Sequence, residues 1–586
     1  MRKERQARVR RSREPRAPAR RRAELRAVVC ARGRGLELRP HPDDGSFRTP
    51  LRDPGGLRPG EIVAVRFEAR GRVRAGRRLG RVGDPELDFA GLCDAHALPR
   101  SFPAGALRET ERQRIGAAAA ARLDLRDLPF VTIDPLRARD HDDAVFAERR
   151  GSGFGLWVAI ADVSEFVPAG SALDREARKW GNSVYLPDRV VPMLPERLSG
   201  DLCSLRPEEE RLALAVELAI DADGGLRRLR VVEARIRSRA KLAYEEAAAV
   251  MEGRAALDPP LADSLHALAA LASVLRERRV ATGSLDLELT EPEPVVDARG
   301  RVSAFGAAAR SVAHRAIEEA MLAANRAIAD LLVEARWPTL HRVHEPPDPA
   351  ELAGLEPVLA SLGLWPGRMR RAPSASDLAE LVEATRERAD AGVVHGLLVR
   401  AMRQARYAEA PLGHFALAFE RYLHFTSPIR RYADLVVHRA VKAQLAGERP
   451  ARAELSELAE HLSRRERAAA QAEYQALDWK RAALLLPRVG EAFEGRVSAI
   501  APPGLFVTLE AVRGDGLIPA RSLPHRAQLD LTRSVLTLGR ERIRLGDRVG
   551  VLLAGVDPAR GRFRLALADY SPAEGSRRTA RRSHSG

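Results

Sequence analysis

Four aspartates fall within ten residues of the segment FVTIDPLRARDHDDAVFAERR, which spans residues 130–150. They are Asp134, Asp140, Asp142 and Asp143, and they directly follow an apolar run that is typical of a strand. Carboxylates held this close repel one another, so without a cation they would destabilise the fold or have raised pKa values. Oxygen ligands select Mg²⁺, Mn²⁺ or Ca²⁺ over zinc, and no neighbouring Cys or paired His offers a softer site. The spacing therefore predicts a divalent-metal site.

This acidic segment allows two other interpretations. A calcium loop starting at Asp140 requires Gly at its sixth position and Glu at its twelfth, but the chain has Val145 and Gly151 there. A solvated acidic turn is disfavoured by the interleaved Val131 and Ile133, because burial of unpaired carboxylates is costly. Mg²⁺ leaves room for substrate phosphates, and two such ions about 4 Å apart can activate water against a phosphodiester. Phosphodiester hydrolysis is the first mechanistic hypothesis.

A second segment, HFTSPIRRYADLVVHRAVKAQL, begins at residue 424 and carries two adjacent arginines. Ser427 suits a helix cap and Pro428 the first helical position, which places Arg430 and Arg431 in the first turn. Two arginines oppose the positive end of a helix dipole, so the arrangement favours a bound anion such as phosphate. The alternative is that the arginines pair with acids on the helix, such as Asp434.

The surrounding elements indicate several domains in this chain of 586 residues. Short apolar runs separated by Gly, Pro and Asp predict a small β unit near the N-terminus, and a similar rhythm between residues 492 and 568 predicts a second one. Five short strands suit an OB barrel, which often binds single-stranded nucleic acid. Between them, strands followed by alanine-rich helices predict an α+β domain of about 360 residues, a size that fits an enzyme. The predicted helices span about 240–252, 260–279, 310–334, 376–408, 431–446 and 452–486.

A net charge of +17 predicts a polyanionic partner, either nucleic acid or a membrane surface. No apolar window approaches the length of a membrane span, and no signal-peptide core follows the arginine-rich start. Cys30, Cys93 and Cys203 are widely spaced and suggest neither a metal site nor a disulfide framework. We therefore expect a cytoplasmic protein without membrane association.

Taken together, the two segments resemble the ribonuclease II / ribonuclease R family of exoribonucleases. Supporting stretches follow in the family order: VAIADVSEFV, SVYLPDRVVPMLPERLSGDLCSLRP, AKLAY, RSVAHRAIEEAMLAANRAIA and AEYQALDWKRA. The resemblance covers roughly residues 25 to 568. It implies a multidomain α+β protein with this organisation: a basic disordered arm (1–24), a cold-shock-like OB barrel (25–88), a linker (89–121), the RNB catalytic domain (122–488), a C-terminal OB barrel (489–568) and a basic tail (569–586).

The family implies an activity: processive, 3′-to-5′ hydrolysis of single-stranded RNA to nucleoside 5′-monophosphates with Mg²⁺, for which Mn²⁺ is an alternative. By resemblance, Asp134, Asp140, Asp142 and Asp143 match the metal-binding aspartates of a two-metal site, with Asp142 also catalytic. Arg430 matches the arginine that stabilises the scissile phosphate. The implied RNA-binding residues are Tyr185, which stacks on a base, Tyr244, which sets the final product size, Glu473, Arg431, Phe506 and either Glu318 or Glu319.

The chain departs from the family pattern at several positions. Leu287 stands where the family usually has an aromatic clamp, and Pro503 occupies an often aromatic position in the C-terminal barrel, although Phe506 remains. Only one N-terminal OB unit is found where two are usual. The alternatives are a non-catalytic OB-fold RNA-binding protein and a metal-dependent phosphodiesterase acting on DNA. A monomer without an obligate protein partner is the default expectation from the family.

Overall fold

The structure, a computed structural model, describes ten stretches of the chain. They are residues 25–33, 35–68, 73–116, 120–287, 292–307, 310–364, 373–388, 390–448, 455–525 and 527–568. The predicted basic arm (1–24) and tail (569–586) lie outside the described residues.

Five antiparallel strands form the N-terminal unit: β1 Arg26–Arg32, β2 Gly35–Pro40, β3 Thr49–Leu51, β4 Glu61–Phe67 and β5 Val73–Arg81. Their order is β3-β2-β1-β4-β5, and no ladder joins the two edge strands within the part of the chain that is described. Alternation divides the buried side chains between two faces, because neighbouring residues of a strand point in opposite directions. Val29 and Val63 form the unit's own small core, whereas Val28 and Ile62 pack into the core of the central domain.

The segment predicted as a linker, 89–121, contributes to two helices in its described part, α1 Pro85–His96 and α2 Ala104–Arg112. Asp84 caps α1 by accepting hydrogen bonds from the first turn. Leu92 is buried in the central core, and Gly91 lies against the indole of Trp479. Burial of this apolar face explains why the segment folds as helix rather than as a solvated linker.

A seven-stranded sheet organises the central domain. The elements in this part are β6 Leu123–Asp124, β7 Val131–Asp134, β8 Asp143–Arg150, β9 Gly153–Ala161, α3 Val163–Phe166, α4 Ala172–Trp180, β10 Val184–Leu186, β11 Arg189–Val191, a π-helical turn at Leu198–Leu202, β12 Glu210–Ile220, β13 Leu226–Arg237 and β14 Ala240–Ala243. The strand order in the sheet is β14-β7-β8-β9-β12-β13-β6, and its ladders are antiparallel except for the pairs β14–β7 and β13–β6.

Both faces of this sheet are covered, which explains its nearly continuous apolar strands. Leu156, Val158 and Ile160 face one core, whereas Trp157 and Ala159 face the other. The remaining elements of the domain are α5 Tyr244–Met251, α6 Pro259–Ala281, β15 Pro292–Val296, β16 Val302–Ala307, α7 Val312–Glu334, β17 His341–Val343, α8 Pro349–Ser361, α9 Ala375–Thr385, α10 Ala391–Ala401, β18 Arg406–Ala408, a 3-10 turn at Phe415–Leu417, α11 Tyr432–Leu445 and α12 Leu455–Leu485.

Two helix predictions differ from the structure. The predicted helix over 376–408 is two helices, α9 and α10. Helix α11 begins at Tyr432 rather than at Pro428, so both arginines precede it. The reason is tertiary: Arg431 is extended and forms a β-bridge with Asn182, and the N–H of Tyr432 donates to the carbonyl of Gly181.

The C-terminal unit is a closed five-stranded barrel of order β19-β20-β21-β26-β25, with a three-stranded sheet inserted in sequence between β21 and β25. Helix α12 leads into it, and the indole Nε1–H of Trp479 donates to the carbonyl of Ala559 in the barrel. No helix in the described ranges is long and apolar enough to cross a membrane. The elements are a 3-10 turn at Leu486–Arg488, β19 Ala492–Ala501, β20 Gly504–Leu509, β21 Gly514–Pro519, a 3-10 turn at Ala520–Ser522, β22 Ala527–Asp530, β23 Val535–Leu538, β24 Glu541–Arg544, β25 Arg548–Asp557 and β26 Arg562–Leu567.

Candidate active site

One cavity of about 480 Å³ is lined by all four predicted aspartates. Strand β7 ends at Asp134 and β8 begins at Asp143, and the loop between these strands carries the other two. Helix α7 and the segment 422–431 before α11 form the facing walls of the cavity. We call Asp134, Asp140, Asp142 and Asp143 the aspartate cluster.

Hydrogen bonds orient three of these carboxylates. Asp134 Oδ2 lies 2.7 Å from His141 Nδ1, and Asp140 Oδ2 accepts a hydrogen bond of 2.8 Å from the hydroxyl of Tyr185. Asp142 Oδ1 accepts from the backbone N–H of Ile429 at 2.8 Å, which ties the loop to the segment before α11. The carboxylates are therefore held in place by the protein rather than by solvent.

Within the described residues, the basic side chains recorded against the aspartate cluster are His141, beside Asp134, and Arg430, beside Asp142. The nearest guanidinium is that of Arg430, whose Nε lies 3.7 Å from Asp142 Oδ2. Burial raises the pKa of Asp142 well above its usual range, and the opposing attraction of Arg430 does not cancel this effect. Burial, reinforced by the charge of Asp134, raises the pKa of Asp143 to about 7. Buried carboxylates with raised pKa values that line one cavity suit a divalent cation.

The two arginines differ in their surroundings although both line the cavity. Arg431 forms two hydrogen bonds of 2.8 and 2.7 Å with Asp434, a fully buried carboxylate. Pairing with Asp434, weighed as the alternative for both arginines, is what the structure shows for Arg431. The side chain of Arg430 is 46% exposed and donates only to Ser427 Oγ, at 3.1 Å, among the hydrogen bonds of the described chain. Arg430 can thus reach an anion in the cavity.

Of the predicted aromatic residues, Tyr185 and Tyr244 line the cavity and Phe506 does not. Tyr185 lies in the β10–β11 hairpin, and its backbone N–H donates to Glu473 of α12 at 2.9 Å. Tyr244 stacks on His314, with ring centroids 3.8 Å apart and an interplanar angle of 11°. Phe506 is half-buried on strand β20 between the fully buried Leu505 and Val507, so its side chain is on the outer face of the barrel.

The structure separates Glu318 from Glu319, which the sequence alone could not do. Glu318 lines the cavity of the aspartate cluster. Glu319 is buried and pairs with Arg279 at 2.6 Å, beside a different cavity. Leu287, at the position of the usual aromatic clamp, packs against the apolar cluster of α8–α10. The chain therefore has a partly buried aliphatic residue where the family pattern has a ring.

Sequence reasoning missed several residues that line or support the cavity: His141, His314, Asn325, Tyr422 and His424. The amide of Asn325 donates to the Tyr422 hydroxyl at 3.1 Å and accepts from the N–H of Phe425 at 2.8 Å. His424 was within a quoted motif, but its spacing carried no signal of a role. His141 follows Asp140 directly, so a histidine between metal-type carboxylates was the one available clue.

A second acidic group, which the sequence analysis did not identify, lies on the same sheet. Ligand oxygens of Asp162, Glu165 and Glu233 lie within 4.8 Å of one another, a spacing that could hold a metal ion. However, Arg122 contacts all three at 2.7–3.1 Å, and Lys442 contacts them at 2.8–3.3 Å. Burial would raise the pKa of Asp162, but Lys442 and Arg122 outweigh it and lower that pKa to about 2. We call these five residues the paired cluster.

Comparison with known proteins gives consistent matches for the central domain and for the C-terminal barrel. The RNB domain family matches residues 122–447, and the S1 RNA binding domain family matches residues 486–568. Ribonuclease R of Aquifex aeolicus is 37% identical over 533 aligned residues, covering 88% of this chain and 76% of the relative. Ribonuclease R of Escherichia coli is 37% identical over 554, covering 88% and 67%. Mycoplasma genitalium RNase R in complex with ribose methylated single-stranded RNA aligns with a TM-score of 0.80 and 27% identity, covering 93% of this chain and 89% of that chain.

Proposed function

Because the chain belongs to the family of RNB-domain ribonucleases that includes ribonuclease R, it is a 3′-to-5′ exoribonuclease, and we propose that the cavity of the aspartate cluster is its active site. The observation that carries this assignment is the convergence of four aspartates and the half-exposed Arg430 on one cavity. Single-stranded RNA is the proposed substrate, degraded processively from its 3′ end to nucleoside 5′-monophosphates. The family accounts for the RNA partner, and the net charge of +17 suits a polyanion.

RNB nucleases are metal-dependent, and the donor set of the aspartate cluster fits such a cofactor. Mg²⁺ is the proposed ion, with Mn²⁺ as the alternative, and a pair of ions is proposed because four carboxylates line this cavity. When bound, these cations would supply activation of the attacking water and neutralisation of charge on the scissile phosphate. The raised pKa of Asp143 supports the assignment, because a divalent cation would offset both the burial and the repulsion from Asp134 that raise it.

Arg430 is the proposed phosphate ligand of the protein itself. Its guanidinium contacts Asp142 only loosely and remains half-exposed, so it can donate to phosphate oxygens without breaking a buried ion pair. Charge that develops on the phosphate during in-line attack would be stabilised by this preorganised donor. Arg431, which is held by Asp434, is proposed to position Arg430 beside it. The RNA contact predicted for Arg431 from the sequence stays a prediction.

The remaining predicted residues are proposed to bind RNA at increasing distance from the phosphate. The ring of Tyr185, 38% exposed, offers a face for a base while its hydroxyl is held by Asp140. The carboxylate of Glu473 fixes the β10–β11 hairpin by accepting a hydrogen bond from the backbone N–H of Tyr185. Tyr244, backed by His314, is proposed to contact the terminal nucleotides, and Phe506 of the barrel is proposed to stack on RNA outside the cavity. Phosphate and stacking contacts carry no base code, which implies sequence-independent degradation.

The test is a time course on two 5′-labelled RNA duplexes, one with a 3′ overhang and one blunt, with Mg²⁺ and with EDTA. We expect metal-dependent conversion of the overhang substrate to a short end product, and loss of this activity in Asp142→Asn. Digestion through the duplex would extend the activity to structured RNA. Intact RNA that is only shifted on a native gel, identically for both proteins, would contradict the assignment and favour the non-catalytic RNA-binding alternative.

We also propose a monomeric protein located in the cytoplasm. Cys30, Cys93 and Cys203 are free and buried, which suits a reducing compartment. Light scattering of the purified protein would test the monomer, and fractionation of cells expressing a tagged chain would test the location.

A further inference from the structure

The proposed function leaves open how the active site would recognise ribose. RNA differs from DNA by the 2′-hydroxyl, which both donates and accepts a hydrogen bond. The aspartate cluster and Arg430 are suited to cations and phosphate, and neither group is specific for a sugar hydroxyl. Recognition of the ribose hydroxyl therefore requires a polar side chain that lines the cavity and has a hydrogen-bonding atom without a protein partner.

Most polar side chains on the wall formed by α7 and residues 422–431 are already committed to partners. Asn325 uses both ends of its amide, one toward Tyr422 and one toward the backbone of Phe425. Arg431 is held by Asp434. These groups shape the cavity but have little left to offer a ligand.

His424 is one of the lining side chains that keep an uncommitted polar atom. It lines the cavity, and its Nδ1 lies 3.0 Å from the hydroxyl of Tyr407, a residue that is itself 2% exposed. No hydrogen-bond partner for its Nε2 is found in the described ranges. Tyr407 and Tyr422 contact the imidazole edge to face, with centroids 5.7 and 5.8 Å away and angles of 78° and 84°. The ring is therefore fixed on one edge, and Nε2 is the atom it can offer to a ligand.

The charge state of His424 suits a neutral ligand. Burial, together with Arg431 and Arg342, lowers the pKa of His424 well below its usual value, so the imidazole is neutral at neutral pH. A neutral imidazole has one donor and one acceptor nitrogen. Nε2 therefore donates if the Tyr407 hydroxyl donates to Nδ1, and accepts in the opposite case. A hydroxyl can satisfy either arrangement, whereas a phosphate oxygen can satisfy only the first.

We propose that His424 Nε2 forms a hydrogen bond with a ribose 2′-hydroxyl of an RNA strand bound in the catalytic cavity, and so favours RNA over DNA. Tyr407 is a positioning residue that fixes the imidazole through Nδ1. The inference rests on the proposed function of this cavity. It adds a recognition element for the sugar to the metal and phosphate groups already assigned.

The experiment compares an all-ribose oligomer with oligomers that carry a single 2′-deoxynucleotide at each of the last three 3′ positions, under single-turnover conditions with Mg²⁺. For the unmodified protein we expect one deoxy position to slow cleavage by about 10-fold, the effect of one lost hydrogen bond. In His424→Asn, whose amide reaches only the Nδ1 position, the all-ribose rate should fall to the deoxy rate. In His424→Gln, whose amide nitrogen or oxygen reaches the Nε2 position, part of the preference should return.

A binding measurement separates recognition from damage to the fold. In an Asp142→Asn background, anisotropy of labelled oligomers should show a ribose preference that His424→Asn removes, with an unchanged melting temperature. Equal losses on ribose and deoxy substrates, or a preference that persists in His424→Asn, would overturn the role of His424 while Mg²⁺-dependent digestion of RNA still supported the proposed function. Absence of digestion by the unmodified protein would instead overturn the proposed function itself.

Discussion

The aspartate cluster and the paired cluster are two groups of acidic side chains on one sheet with opposite electrostatics. They are close in the structure, since the backbone carbonyl of Asp142 accepts a hydrogen bond from the N–H of Ala161, the neighbour of Asp162. Asp142 and Asp162 are both almost completely buried. The pKa of Asp142 is raised well above its usual range, whereas that of Asp162 is lowered to about 2. Burial alone therefore does not decide the charge state of these residues.

The difference lies in the origin of the compensating charge. Arg122 and Lys442 supply it within the paired cluster, so those acids stabilise the fold only as long as both cations stay. In the aspartate cluster the nearest guanidinium stands 3.7 Å away and half-exposed, so the compensating charge is proposed to come from a bound metal ion. Buried ionisable side chains that destabilise the fold unless a ligand is bound are typical of functional sites. Oxygens of Asp162, Glu165 and Glu233 are close enough together to hold a metal ion, but the guanidinium of Arg122 and the ammonium of Lys442 already take the place of that cation.

Removing one carboxylate from the aspartate cluster is expected to have the largest effect of all. Asp142→Asn should lower the rate of RNA hydrolysis on the order of 1,000- to 10,000-fold, since the metal contributes several kcal/mol to catalysis. The same substitution should leave the melting temperature unchanged or raise it, because burial disfavours the ionised form of Asp142 and an amide avoids that cost. Single-turnover cleavage and thermal denaturation in EDTA check the two parts. A variant that is both inactive and strongly destabilised would remove the contrast between the clusters.

Removing a cation from the paired cluster should do the reverse. Arg122→Met leaves Asp162 buried with one partner fewer, so we expect a loss of about 3 kcal/mol or more in the free energy of unfolding. The double variant Arg122→Met with Asp162→Asn should recover part of the loss, because the uncompensated charge is then gone. Urea denaturation of the single and double variants measures this coupling. Equal stability of Arg122→Met and the unmodified protein would show that the paired cluster is not a structural ion pair.

The features that could be predicted from the sequence were those whose residues lie close together along the chain. The aspartate cluster was predictable because its four members lie within ten residues and interrupt an apolar strand. The paired cluster was not, because Lys442 and Asp162 are separated by 280 residues and meet only through the fold. The prediction that α11 starts at Pro428 was wrong for a related reason. The β-bridge between Arg431 and the distant Asn182 overrides a good local capping signal. Similarly, the helices that include residues of 89–121 pack against the central core, a tertiary contact that the local sequence does not show.

The two arginines before α11 allow a matched comparison within one motif. Arg430→Lys should slow cleavage by about 100-fold, since an ammonium cannot reproduce a bidentate guanidinium on a phosphate oxygen pair, and should leave the melting temperature unchanged. Arg431→Lys should instead lower the melting temperature, because Asp434 is fully buried and would lose its two-point contact. Cleavage rates and melting curves of both variants are the measurement. The distinction fails if the two substitutions have the same profile.

The smallest expected effect is a difference in how the clusters respond to pH. The carboxyl pKa of Asp143 rises from 3.8 to about 7 on folding, so the metal-free native state binds a proton that the unfolded chain has lost. Stability of the unmodified protein relative to Asp143→Asn should therefore fall as pH rises, by about 2 kcal/mol between pH 5 and pH 7.

Asp162 is the control for this measurement. Its pKa is depressed to about 2, below the unfolded value of 3.8, so its contribution is fully present above pH 4 and is lost only as pH falls through 2. The difference in the free energy of unfolding between Asp162→Asn and the unmodified protein should thus stay constant from pH 5 to pH 7. Urea midpoints in EDTA test both variants, and Mg²⁺ at pH 7 should restore stability to the unmodified protein more than to Asp143→Asn. A flat profile for Asp143→Asn would mean that its carboxylate is compensated within the protein, as that of Asp162 is.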